Sequence, residues 1–102
     1  MIYKILITAT AKSQMRRAVN WWAEERPDAP SLFIEEFEAA LRQLKMVPLA
    51  GTRYLPVHSY DLRRILLRRS LYHIYYTVHP ADLRVVVRAV WHSARGRKPG
   101  LR

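Results

Sequence analysis

The apolar residues of this chain change their spacing once, and that change limits the folds open to it. Met15, Ala18, Val19 and Trp22 fall at i, i+3, i+4 and i+7, and Phe33, Phe37, Ala40, Leu41 and Leu44 form a second helical stripe. From Leu62 onward the pattern alternates, most regularly in Leu83, Val85, Val87, Ala89 and Trp91. Two helices followed by a run of strands, within 102 residues, leave room for one domain and one core over 1–102. Half of the residues are hydrophobic, enough to build that core, so a disordered chain is excluded.

The connections complete the outline. Ile2 to Ala9 alternates as a first strand with Tyr3, Ile5 and Ile7 inward, and Thr10 offers an N-cap to the helix that follows. Pro27 ends that helix, Asp28 can cap the next, and Pro30 is tolerated in its first turn. Glu35, Glu36 and Glu38 lie outside the second stripe and read as a solvated row. Residues 47–61 hold two prolines, one glycine and no clean period, which predicts a long loop, and such loops tend to be functional. Three strands follow: Leu62–Arg69, Leu71–His79 and, after a Pro80-Ala81 turn, a last one ending at Trp91. A basic tail occupies about 93–102. The expected fold is α+β, in the order β-α-α-β-β-β, an antiparallel meander with both helices packed on one face.

Several chemistries are excluded. There is no cysteine, hence no disulfide, thiolate metal site or cysteine nucleophile. The apolar run Met1–Ile7 is too short for a signal peptide, and nothing approaches the roughly 20 apolar residues of a membrane span. No glycine-rich phosphate loop, G-x-S-x-G or H-x-x-x-H occurs. Neither a cofactor nor a metal is expected.

Charge is distributed unevenly. Residues 1–50 carry seven Lys/Arg against six Asp/Glu, and residues 51–102 carry eleven against two, Asp61 and Asp82. Two carboxylates are too few for a two-metal nuclease. A field this one-sided suits a polyanion or an acidic protein, although charge can also serve solubility alone. The face of the sheet away from the helices would collect Arg64 or Arg63, Arg68, His73, Tyr75, Arg84, Arg88 and His92, with Arg95 just beyond the last strand. Basic on both faces, the second strand leaves its inward row open. Arginines interleaved with aromatic rings can hold a nucleic-acid strand, while a solvated polar face is the plain alternative. His92 is placed either to act as acid or base near neutral pH or simply to bond nearby backbone, and His73 either to react or to pair across strands. His58 and His79 read as surface residues.

These segments together resemble the ParE/RelE superfamily of toxins from type II toxin–antitoxin systems over about residues 2 to 97. The resemblance rests on Tyr3-Lys4-Ile5, on Ala18, Trp22, Phe33, Phe37 and Leu41, on Leu62-Arg63-Arg64-Ile65, on Tyr72–Val78 and on Val85–Arg95. The ending His92-Ser93-Ala94-Arg95 is most similar to the ParE branch. The resemblance implies a cytoplasmic toxin, neutralised by an acidic, ParD-like cognate antitoxin that wraps the hairpin and sheet. ParE-like members block DNA gyrase without chemistry of their own; RelE-like members cut mRNA on the ribosome. The lysines Lys4, Lys12, Lys45 and Lys98 all lie off the candidate face and no tyrosine follows Tyr76, unlike RelE-type sites, so the ParE-like reading leads. His73 stands where both branches usually have arginine. On the ParE-like reading Arg63, Arg64, Arg68, His73, Arg84, Arg88, His92 and Arg95 bind the target. On the endonuclease alternative His92 and Arg64, assisted by Arg95, are catalytic. Trp21, off the helical stripe beside Trp22, marks either a patch for the antitoxin or an edge packed within the hairpin.

Overall fold

The computed structural model describes residues 1–54, 61–96 and 99–100. Strand β1 is Lys4–Ile7, helix α1 Ala9–Glu25, helix α2 Leu32–Met46, and strands β2 to β5 are Thr52–Arg53, Asp61–Leu66, Tyr72–His79 and Arg84–His92. They form one five-stranded sheet in the order β1-β5-β4-β3-β2. His58 and the tail residues Arg97, Lys98 and Arg102 lie outside the described residues.

Helix α1 begins earlier than its sequence suggests, because Thr8 rather than Thr10 is the cap: its Oγ1 accepts from the Ala11 amide at 3.1 Å. Asp28 and Pro30 fall in the turn before α2, where Ser31 takes the cap position and its hydroxyl donates to Glu35 at 2.6 Å. The stripes do face the core. Ala11, Ala18, Trp22, Phe33, Phe37 and Ala40 pack with Ile74, Val87 and Val90, and Leu44 closes the other end with Tyr76, Val78 and Val85. Each large side chain so buried contributes about 1.5–3 kcal/mol.

The α+β class and the helical hairpin on one face stand as expected, but the sheet is mixed. Strands β3, β4 and β5 are an antiparallel meander, whereas β1 runs parallel to β5, with Lys4 beside Arg84 and Ile7 beside Val87. The cause lies in how α1 leaves β1. From Thr8, whose amide donates to the Val87 carbonyl, the helix continues along β5, and the Gln14 side chain accepts from the Val90 amide at 2.8 Å. Helix α2 then runs back, from Phe33 against Tyr72 to Lys45, whose carbonyl accepts from the Tyr3 amide. The edge of β5 beyond β1 is thus covered by a helix and a side chain, which protects it from foreign strands.

A second departure moves the site. Tyr75 pairs with Ala89 but Tyr76 with Val87, so Arg88 is the extra residue of a β-bulge. One inserted residue reverses the facing of everything beyond it. Ala89 and Trp91 therefore lie on the outer face, and Val90 and His92 on the helix side, opposite to simple alternation. The segment read as one long loop contains a 3-10 turn at Pro48–Ala50 and the two residues of β2. The Glu36 carboxylate, read as part of a solvated row, accepts the Arg69 and Ser70 amides at 2.9 and 2.8 Å and ties the β3–β4 turn to α2.

Candidate functional site

Strands β3, β4 and β5 build a shallow concavity of about 330 Å³ at one end of the outer face. It is lined by Tyr54, Arg64, His73, Tyr75, Trp91, His92, Ser93, Arg95 and Gly96. Register explains the gathering: Arg64 pairs with Tyr75 across β3–β4, and His73 pairs with Trp91 across β4–β5. The Arg64 guanidinium lies 5.1 Å from the Tyr54 ring centroid and donates to the Tyr75 hydroxyl at 3.3 Å. Tyr54 meets Tyr75 edge-on at 5.3 Å. Beyond the strand end, Arg95 folds back over Trp91 at 4.1 Å.

Not every arginine expected on this face arrives there. Arg63 points to the helix side, where it donates to the Leu49 and Gly51 carbonyls and to Asp61, so its role is to pin the 48–51 turn. Arg68 is exposed beside a separate groove between α2 and β3. Arg84 and Arg88 are on the outer face but at its other end, bonded to Asp82 and to the Thr77 hydroxyl. The structure brings together Arg64, His73 and Arg95, with His92 at the rim. Tyr54 and Trp91 were not singled out for this site from sequence: one belongs to the loop-like segment and the other to a row that the bulge inverts.

His92 is turned away from the concavity's centre. Its ring lies edge-on to Tyr72 at 4.9 Å, and Tyr72 in turn packs on Phe33 under the helices. Its Nδ1 accepts from the Ala94 amide at 3.1 Å. With Nδ1 accepting from Ala94, Nε2 is the ring nitrogen left to donate.

The electrostatics follow from the pairing of the acids. Asp61 lies within 3.6 Å of Arg53 and 3.2 Å of Arg63, and Asp82 within 3.1 Å of Arg84. Both carboxylates of the basic half are thereby tied up away from the concavity, whose lining contains none. Burial, and secondarily the neighbouring Arg64, push the His73 pKa below the ordinary imidazole value. Burial with Arg88 and Arg84 outweighs Asp82 and does the same to His79, which bonds the Thr77 hydroxyl at 2.8 Å and is half-buried rather than a free surface residue. Lowered folded-state values mean that the unfolded chain takes up protons first as pH falls. Stability should therefore be full above about pH 6.5 and decline as pH drops through the lowered values. Urea unfolding at pH 7.5, 6 and 5 checks this: the fall should shrink in His79→Gln, and a rise on acidification would contradict it.

Comparison with known proteins gives the class first. The chain is similar to a solved structure of a mutant of the E. coli toxin RelE in the free state, at 21% sequence identity and a TM-score of 0.57, over 92% of this chain and 86% of that one. That likeness identifies the fold as RelE-like. The family follows from the sequence itself, since residues 5–96 match the family model described as the ParE toxin of the type II toxin-antitoxin system, parDE; this chain belongs to the ParE toxin family. No curated protein matches it significantly. Membership in a type II toxin family implies an antitoxin partner. Among the described residues no helix is long and apolar enough to cross a membrane.

Proposed function

We propose that this toxin inhibits DNA gyrase by binding it, without chemistry of its own, and that it acts in the cytoplasm. The observation that carries this reading is the state of His92. With Nδ1 committed to Ala94 and its ring against Tyr72, it is not poised to take a proton from a ribose hydroxyl. Among the described residues no lysine lines the concavity, and arginine is a poor base because it stays protonated. The cationic outer face with Arg64 and Arg95 supplies the complementary surface for an acidic target. The endonuclease alternative draws support from one feature, His73 in the same concavity as Arg64, its pKa lowered by burial and by that arginine. Purified toxin added to a gyrase supercoiling reaction and to translating ribosomes separates the two readings. Inhibited supercoiling with intact mRNA is expected; cut mRNA with normal supercoiling would reverse the assignment.

The antitoxin is a ParD-like acidic protein in this reading, and Trp21 is part of its docking surface. Trp21 is 43% exposed at the hairpin tip, with Arg26 5.4 Å above its ring. Trp22, by contrast, is buried and donates its indole N–H to the Ala29 carbonyl at 2.8 Å, so it holds the tip together and offers little surface. Trp21→Ala should weaken antitoxin binding by about tenfold, as loss of an aromatic anchor does. Titration calorimetry showing unchanged affinity alongside a lowered Tm would remove Trp21 from the interface.

A further inference from the structure

The sheet ends at β1, and beside that edge strand a groove of about 540 Å³ runs along α2. Its floor is apolar: Ile5, Ile7 and Leu41 are half-buried there, and Ile2 is 67% exposed at its mouth. The amides of Lys4 and Thr8 donate to the Leu83 and Val87 carbonyls, so by alternation those of Ile5 and Ile7 point away from β5. Unpaired groups along an edge are a template for another strand. Charge is ordered along the groove's rim. Glu38 is exposed on α2, and the exposed Arg42 and Lys45 follow one and two turns later. Among the described residues none of these three forms an ion pair. The half of the chain that builds the groove, residues 1–50, is nearly balanced, with seven Lys/Arg against six Asp/Glu.

We propose that this edge pairs with the same edge of a second copy of this chain, β1 antiparallel to β1 about a two-fold axis. A two-fold contact requires a surface that matches itself when turned round. Here the turn sets the two α2 helices antiparallel, so the Glu38 end of each lies toward the Arg42 and Lys45 end of the other. Acid then meets base twice in one contact. A uniformly acidic partner would suit the two cations but be set against Glu38. The strands join through the outward amides of Ile5 and Ile7, and Ile5, Ile7 and Leu41 of both copies lose water together. A four-residue strand buries little area, so the dimer is of the weak, exchanging kind. None of the groove's residues lines the outer-face concavity, so each copy keeps that concavity open.

Sedimentation equilibrium of the purified full chain tests this, at about 0.15 M salt, where repulsion from the net charge of +10 is screened. Between about 2 and 200 µM, the range of weak complexes, a monomer should give way to a dimer. Glu38→Arg turns both attractions into repulsions and should weaken the dimer by about tenfold. Glu38→Arg with Arg42→Glu keeps the net charge and again sets acid opposite base. It should return the affinity to within about threefold of wild type. Both positions are exposed, so neither variant threatens the fold. Hydrogen exchange read by mass spectrometry reports on the strand itself. The β1 peptide should exchange at least about threefold more slowly at the upper concentration than at the lower. A monomer throughout, a dimer indifferent to Glu38→Arg or not restored by the double variant, or β1 exchange independent of concentration would overturn the proposal. Protection of β1 only when the antitoxin is co-purified, with the chain alone monomeric, would also overturn it and assign the groove to the antitoxin.

Discussion

Arg95→Glu should raise the toxin concentration needed for half-inhibition of gyrase by about a hundredfold. Arg95 is exposed; among the described residues it stacks on Trp91, and its backbone N–H donates to the His92 carbonyl, a bond the substitution keeps. Reversing its sign places a carboxylate in a lining that has none and sets it against the acidic target proposed for this face. Like charges meeting at an interface cost several kcal/mol, and about 2.7 kcal/mol is a hundredfold in affinity. The fold should be unaffected, because exposed substitutions away from structural contacts stay within about 0.5 kcal/mol. Supercoiling assays with a melting curve alongside check both halves. Undiminished inhibition at an unchanged Tm would take the outer face out of target binding.

The second large effect concerns Gly51. Gly51→Ala should destabilise the protein by about 3 kcal/mol, from overpacking and a buried hydrogen bond lost together. A Cβ there would stand 2.5 Å from the Tyr76 hydroxyl and 2.8 Å from the Arg64 carbonyl. Neither can give way cheaply. Tyr76 is fully buried, takes the Gly51 amide at 2.8 Å and donates to the Pro48 carbonyl at 2.9 Å. The Arg64 carbonyl belongs to the β3 backbone, which Thr52 pairs. At about 4–8 °C per kcal/mol for a domain of this size, the melting temperature should fall by roughly 12–24 °C. Tyr76→Phe should cost only about 1–2 kcal/mol, the value of the two bonds. If thermal unfolding of Gly51→Ala differed from wild type by less than about 2 °C, the packing described around Tyr76 would be wrong.

What the sequence disclosed, and what it hid, divide along the periodicities. The two helical stripes needed no partner to be read, because residues three and four apart share a face whatever they pack against. The alternation of β4 was equally plain: Ile74, Tyr76 and Val78 are buried on the helix side. The faces of β5 were legible only up to Val87, since Ala89, Val90 and Trp91 are all apolar and give no signal of the bulge at Arg88. That inversion put Trp91 into the candidate site and withdrew His92 from its centre. The parallel pairing of β1 was hidden for another reason. It follows from the direction in which α1 leaves the strand, a matter of tertiary packing that local pattern does not encode. Arg63 and Arg64 illustrate the limit at single-residue scale. Adjacent and chemically identical, they were separable only once register placed Arg63 opposite Tyr76 and Arg64 opposite Tyr75.

The most direct measurement is the supercoiling inhibition and ribosomal mRNA cleavage of His92→Ala beside the wild type. A toxin that works by binding should inhibit gyrase with a half-inhibitory concentration within about threefold of wild type, because the His92 ring is engaged by Ala94 and Tyr72 at the rim of the concavity, and both proteins should leave mRNA intact. Wild-type cleavage of mRNA that vanishes in His92→Ala would contradict this and make the chain an enzyme.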